Sequence, residues 1–365
     1  MDMENLQRTA LYEEQMNIKC KMVSFAGWEM PIQFDGIIAE HGFCRNDAAL
    51  FDTSHMGEFF FKGNIKTSGI NEATSINIDT LKTGKCKYGF LLNEKGGVID
   101  DLIIYRLSID ELMIVVNASR AAVDFKTITS RLKSGSLDDR SKEVSKLDLQ
   151  GPNSKKILQK YFLDENVNLD DLGFFSFIKT KIFGENCLLS RTGYTGELGF
   201  ELYIDGKTAV KIWNALLKEG VKPAGLGARD ALRLEMGYSL YGNDLNEEIT
   251  PLEANLSMFV NLNREFVGCQ ALKKQKEEGL KRVLIPFKTT SRRSARKDFE
   301  AFQDDKKIGF VSSAAFSPTL NVGIGLLMVD FETFDENRSF ELRDKSNKNR
   351  GSIEANKASL PFIKK

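Results

Sequence analysis

The chain has 365 residues, 42% of them hydrophobic and 28% charged, with Lys+Arg and Asp+Glu each totalling 51. The balanced charge removes the usual electrostatic footprint of a nucleic-acid binder, and the ordinary hydrophobic fraction removes wholesale disorder. The length exceeds what one core usually supports, so two or three domains are expected.

Five scattered cysteines (Cys20, Cys44, Cys86, Cys187 and Cys269) offer neither zinc spacing nor a disulfide framework. Only His41 and His55 are present, which sets histidine-based metal chemistry aside. No apolar run approaches the roughly 18–20 residues of a membrane span. The first run, MDMENLQRTALYEEQ, resembles neither a signal nor a transit peptide, so a cytoplasmic protein with no membrane partner is expected.

In chain order, residues 98–105 (VIDDLIIY) and 112–117 (LMIVVN) predict two strands joined as a hairpin through RLSIDE. Gly151–Pro152 opens a helix predicted over 153–162. Residues 199–204 (GFELYI) predict a strand feeding an amphipathic helix from Thr208 to Gly220. That helix is expected to bury Val210, Trp213, Leu216 and Leu217, with Gly220 as its stop. Residues 224–245 begin with small residues and turn helical, placing Arg229 and Arg233 on one face that is usually solvated or salt-bridged. A charged segment at 270–282 marks the best boundary, followed by short strands to the end. Strands and helices mix without strict alternation, which predicts an α+β protein.

Three local features point to chemistry. Asp100 and Asp101 sit in an apolar strand, where neighbouring side chains take opposite faces. Desolvation raises a carboxyl pKa and makes such a group a candidate acid or base; the alternative is a turn cap or structural ion pair. The run RTGYTGELGFEL spaces Gly193, Gly196 and Gly199 by three, which fits either a turn or a backbone that approaches a ligand closely beside Tyr194. Glu201 follows in a strand flanked by Phe200 and Leu202; a buried carboxylate there accepts paired N–H donors from an amino-pyrimidine ring, whereas a solvent-facing one does nothing. Ser54 and His55 are adjacent on an extended segment and point apart, so no hydrolase triad is expected.

Nine runs in order carry a resemblance: TALYEEQ, MVSFAGWEMPIQF, FDTSHMGE, GGVIDDLI, LQGPNS, RTGYTGELGFE, GLGARDALRLEMGYSLYGNDLNEEITPLEANL, FVGCQAL and FSPTLNVGIG. The chain thereby resembles the aminomethyltransferase (T protein) family of the glycine cleavage system. The resemblance implies three domains in a clover-leaf arrangement around a central folate site. Residues 1–275 would form the folate-binding region of two intertwined α+β domains, and 276–365 a C-terminal β-barrel-like domain. It implies transfer of a methylene from the aminomethyl group on the lipoyl arm of H protein to tetrahydrofolate, with ammonia and 5,10-methylenetetrahydrofolate as products. Tetrahydrofolate is then a co-substrate, and no metal is needed. By the same resemblance Asp101 is the catalytic carboxylate, Glu201 and Arg229 hold folate, and Met56, Tyr88, Asn117 and Tyr194 line its pocket.

Departures from the family pattern are Met258 in place of a frequent Trp, the basic run 291–297, and the ending LPFIKK. Two other functions suit the same fold: a folate-dependent demethylase of a small methylated substrate, and a folate-binding accessory protein of iron–sulfur assembly. The second carries a KGCYxGQE run, where this chain reads REFVGCQAL.

Overall fold

The computed structural model describes residues 5–161, 163, 166–347 and 351–365; Phe162, at the end of one expected helix, and residues 1–4 of the N-terminal run lie outside the described residues. The chain forms two compact units, Met1–Gly89 with Leu102–Arg229, and Phe90–Asp101 with Asp230–Lys365. Helices and sheets are mixed, as an α+β protein requires.

In the first unit a six-stranded sheet runs in the order Phe177–Ile182, Glu185–Ser190, Gly199–Ile204, Ser145–Gln150, Ala49–Asp52, Lys222–Pro223. All of its pairings are antiparallel except the last. Its two central strands are buried along their whole length, so both faces are covered. On one face Leu147, Leu149, Phe200, Leu202 and Ile204 pack against the helix Gly206–Lys218. Each large side chain buried this way contributes roughly 1.5–3 kcal/mol.

That helix starts where Asp205 accepts hydrogen bonds from the backbone N–H groups of Lys207 and Thr208, at 2.9 and 3.1 Å, satisfying two donors a helix start leaves open. It ends before Gly220, which takes a φ of 90° that other residues resist. The buried stripe is Ala209, Ile212, Trp213 and Leu216, with Val210 and Leu217 only half-buried. The expected face was thus rotated by part of a turn, because Ile212 and Ala209 share the direction of Trp213.

A five-stranded sheet orders Cys86–Leu92, Val98–Arg106, Glu111–Val116, Gly57–Lys62 and Ser136–Asp139. The expected hairpin is its second and third strands, with Ile103 opposite Val115 and Arg106 opposite Leu112. The helix Ser154–Tyr161 follows Gly151 as the sequence suggests.

The second unit contains a closed barrel of Arg282–Thr289, Val322–Asp330, Lys306–Ser317, Glu300–Gln303, Phe340–Arg343 and Ile353–Lys357. Closure comes from Phe287, Lys288 and Thr289 pairing with Lys357, Asn356 and Ala355. Ile285, Phe287, Val311, Leu327, Phe340 and Leu342 fill the interior. The charged segment at 270–282 is mostly the helix Cys269–Glu278, which precedes the barrel.

Candidate active site

Alternation along Ser145–Gln150 and Gly199–Ile204 decides what the second face of the six-stranded sheet carries. With the leucines and Phe200 turned to the helix side, Lys146, Asp148, Gln150, Glu201 and Tyr203 turn to the other. Glu201 stands opposite Asp148 and Tyr203 opposite Lys146 in the register of the two strands. Tyr203 packs there with Tyr105, Met113, Val115 and Phe177, and Met56 and Phe60 adjoin this cluster. A charged layer is therefore held inside the first unit.

Glu201, only 3% exposed, accepts the ammonium of Lys146 on Oε1 at 2.6 Å. Its Oε2 accepts the hydroxyl of Thr192 and lies 3.2 and 3.3 Å from the hydroxyls of Tyr105 and Tyr203. Asp148, fully buried, accepts Nη1 of Arg229 at 2.7 Å on Oδ2 and the amide of Gln150 on Oδ1. The Arg229 guanidinium lies 5.0 Å from the ring centroid of Tyr194, a cation–π contact. Lys146 Nζ is 3.5 Å from Met56 Sδ. Met56, Tyr194, Glu201 and Arg229 are thus brought together, linked by Lys146 and Asp148.

Burial alone would raise Glu201, but the charge and hydrogen bond of Lys146 bring its carboxyl below the usual range. Asp148 goes the other way, raised by burial against the opposing pull of Arg229. His55 is pushed down to about 3, by burial first and then by Arg229 and Lys146, so its imidazole stays neutral. It packs edge-on against Phe25 with ring centroids 5.5 Å apart. Ser54 Oγ donates to the Lys146 carbonyl at 3.3 Å, so no nucleophile–base pair forms with its neighbour. Glu58 is completely buried with no hydrogen-bond partner for either carboxyl oxygen among the described residues, and burial raises its pKa well above the ordinary value.

The remaining expected residues are placed as follows. Asp100 is fully buried, whereas Asp101 is half-buried, so the two faces of this strand segment differ in access. Both aspartates belong to the second unit. Tyr88 lies half-buried in Cys86–Leu92, and Asn117 is half-buried just past Glu111–Val116. A Cβ on Gly193 or Gly199 would collide with the side chain of Gln150, so the close approach made by these glycines is to a neighbouring side chain of the protein itself. Arg233 is not solvated: it is 1% exposed and pairs with Asp230 and Asp244 at 2.8 and 3.0 Å. Met258 is 83% exposed at the edge of an open cavity of about 530 Å³ shared with Leu252, Val260, Leu262, Leu280 and Val283.

Lys146, Asp148, Gln150 and Thr192 were not singled out by the sequence reasoning. The alternating run SKLDLQ reads as a strand with one solvated face, and only the second sheet covering that face turns its charges into a buried network.

Two family models match the chain: the GCVT N-terminal domain over residues 11–264, and the glycine cleavage T-protein C-terminal barrel domain over residues 282–364. An aminomethyltransferase of Caldanaerobacter subterraneus is 44% identical over 336 residues, covering 90% of this chain and 89% of the relative. That of Listeria monocytogenes is 40% identical over 367 residues, covering 100% and 99%. The crystal structure of glycine cleavage system aminomethyltransferase T from Bartonella henselae superposes with a TM-score of 0.90 at 30% identity, covering 98% of each chain.

Proposed function

The chain belongs to the glycine cleavage T-protein family of aminomethyltransferases, and on that premise we propose that it passes a methylene group from the aminomethyl-loaded lipoyl arm of H protein to tetrahydrofolate. The net reaction balances without a redox partner. The methylene carbon gives up its bonds to nitrogen and sulfur and gains bonds to the two folate nitrogens. The protons lost from those nitrogens leave on ammonia and on the lipoyl thiol.

The observation that carries the reading is the buried layer that sets Glu201, Arg229 and Tyr194 together in the first unit. A pterin offers a flat ring with an amino–amide edge, which suits an acceptor, a donor and an aromatic face in one place. Met56, Tyr88 and Asn117 complete the proposed pocket. Asp101 is the proposed catalytic carboxylate: it orients the attacking folate nitrogen, takes its proton and offsets positive charge developing on the aminomethyl carbon. The functional division we propose puts this chemistry on residues 1–275 and the barrel on 276–365. A lipoylated carrier is the proposed partner and the cytoplasm the proposed compartment. Among the described residues, no helix is long and apolar enough to cross a membrane.

The test is ammonia release from aminomethyl-loaded lipoyl carrier by purified protein with tetrahydrofolate. Ammonia formed in step with 5,10-methylenetetrahydrofolate is the expected result. No ammonia, but methyltetrahydrofolate from a small methyl donor, would replace this reading with the demethylase.

A further inference from the structure

Resting on the folate reading above, we propose that Lys146 and Asp148 are specificity-determining residues that act as a built-in lock. The Lys146 ammonium sits on Glu201, the Asp148 carboxylate sits on Arg229, and a ligand that draws on the charge of either group competes with its partner.

Both halves of the lock come from one face of one strand. Lys146 and Asp148 are two residues apart on Ser145–Gln150 and project on the same side, a cation followed by an anion. They meet the anion Glu201 and the cation Arg229 at 2.6 and 2.7 Å. The four charges cancel, and the side chains of Lys146 and Asp148 are 2% and 0% exposed. Water therefore screens neither pair appreciably, and each is a charge-assisted bond in a low-dielectric layer.

Acceptor arithmetic makes the consequence specific. A carboxylate has about four lone-pair positions on two oxygens. On Glu201 the Oε2 atom already has three hydroxyls around it, from Thr192, Tyr105 and Tyr203, while Oε1 holds Lys146. An amino-pyrimidine edge presenting two parallel N–H donors needs both oxygens: Oε2 is already crowded by hydroxyls, and on Oε1 the ligand must compete with the Lys146 ammonium for the negative charge. Arg229 gives a hydrogen bond from Nη1 to Asp148, which is itself fixed by Gln150.

The displaced ammonium has somewhere to go. Met56 Sδ is 3.5 Å away, the Tyr203 ring centroid is 5.5 Å away, and the Lys146 charge already acts on the buried carboxyl of Glu58. Entry thus becomes an exchange of partners inside the layer, which favours a ligand presenting the complete donor–acceptor edge over a fragment presenting half of it.

The deciding experiment uses the full chain and the charge-balanced double variant Lys146→Met with Asp148→Ala, which removes one cation and one anion together. Dissociation constants are measured by calorimetry for tetrahydrofolate and for 2-amino-4-hydroxypyrimidine, the bare edge. The double variant is expected to bind both at least about tenfold more tightly than the wild type, the fold-change corresponding to loss of one charged competitor. Lys146→Arg, which keeps the pair, should retain wild-type affinity. If the first double variant does not fold, the near-isosteric Lys146→Gln with Asp148→Asn is used in its place. A folded double variant that binds both probes no more tightly than the wild type overturns the lock, because residues that merely support the site would weaken binding when removed. The folate reading is judged separately, by the wild type's ammonia release.

Discussion

Asp100 and Asp101 differ at the level of a single side chain, and their substitutions should differ accordingly. Asp101→Asn removes a proposed proton acceptor, so turnover should fall by about 10²–10⁴-fold with little change in melting temperature. Asp100 is fully buried, so Asp100→Asn should act on stability, by roughly 1–3 kcal/mol, and keep most of its turnover. Equal losses of turnover in the two variants would end the assignment of one job to one carboxylate. Glu58 supports a second test of this kind. Its carboxyl is held well above the ordinary value by burial, with Lys146 pulling the other way and Asp139 and Glu201 adding to the rise. A carboxyl raised on folding favours the native state most at low pH and loses that contribution as pH climbs from the unfolded value toward the folded one. Glu58→Gln cannot ionise, so its melting temperature should gain on the wild type between pH 5 and pH 8; a pH-independent difference would mean that Glu58 is already charged.

At the scale of elements, local signals and long-range partners separate cleanly. The hairpin was legible because the apolar runs 98–105 and 112–117 flank the turn-like RLSIDE, and the two strands pair from Ile103–Val115 to Arg106–Leu112. The helix Gly206–Lys218 was legible through Trp213 and Leu216, but its start was set two residues late because Asp205 was not weighed as a cap. Asp205→Ala should therefore cost about 1 kcal/mol in chemical denaturation, the usual worth of an N-cap; no loss would mean the helix holds its start by packing alone. The candidate site was legible as acid and base types at motif positions, Glu201 and Arg229 among them. Their partners Lys146 and Asp148 were not, because a polar residue alternating with leucine looks solvated until another sheet covers it. Gly97 shows the same limit: a Cβ there would sit 1.9 Å from the Glu247 carbonyl oxygen, a neighbour about 150 residues further along the chain. Gly97→Ala should displace the start of the strand that carries Asp101 and lower soluble yield and turnover together.

Over the whole chain, balanced composition conceals a few charges paired inside among the many that face outward. Arg233 is the clearest case in the second unit. It bonds Asp244 and Ser313 at 3.0 and 2.9 Å, and Asp244 also accepts Ser312 and Ser313. These bonds tie the turn region after the helix Leu226–Glu235 to the barrel strand Lys306–Ser317. Asp244→Ala leaves a buried guanidinium with much of its compensation gone, a loss on the order of 3–5 kcal/mol. Urea unfolding should show that loss, and a variant as stable as the wild type would mean that Asp230 suffices as counter-charge. The barrel was expected from the family resemblance, whereas the residues alone read only as short strands with turns; closure is not legible locally, since nothing local tells Arg282–Thr289 that Ile353–Lys357 will lie beside it.

That closure has a consequence in time. Synthesis delivers Arg282–Thr289 first among the six barrel strands and Ile353–Lys357 last. Until the last strand emerges, Arg282–Thr289 and Phe340–Arg343 each present an open edge, the feature that invites pairing with a neighbouring nascent chain. The finished barrel is edgeless, but through the several seconds that separate synthesis of the first and last strands, at about 5–20 residues per second, the growing chain is not.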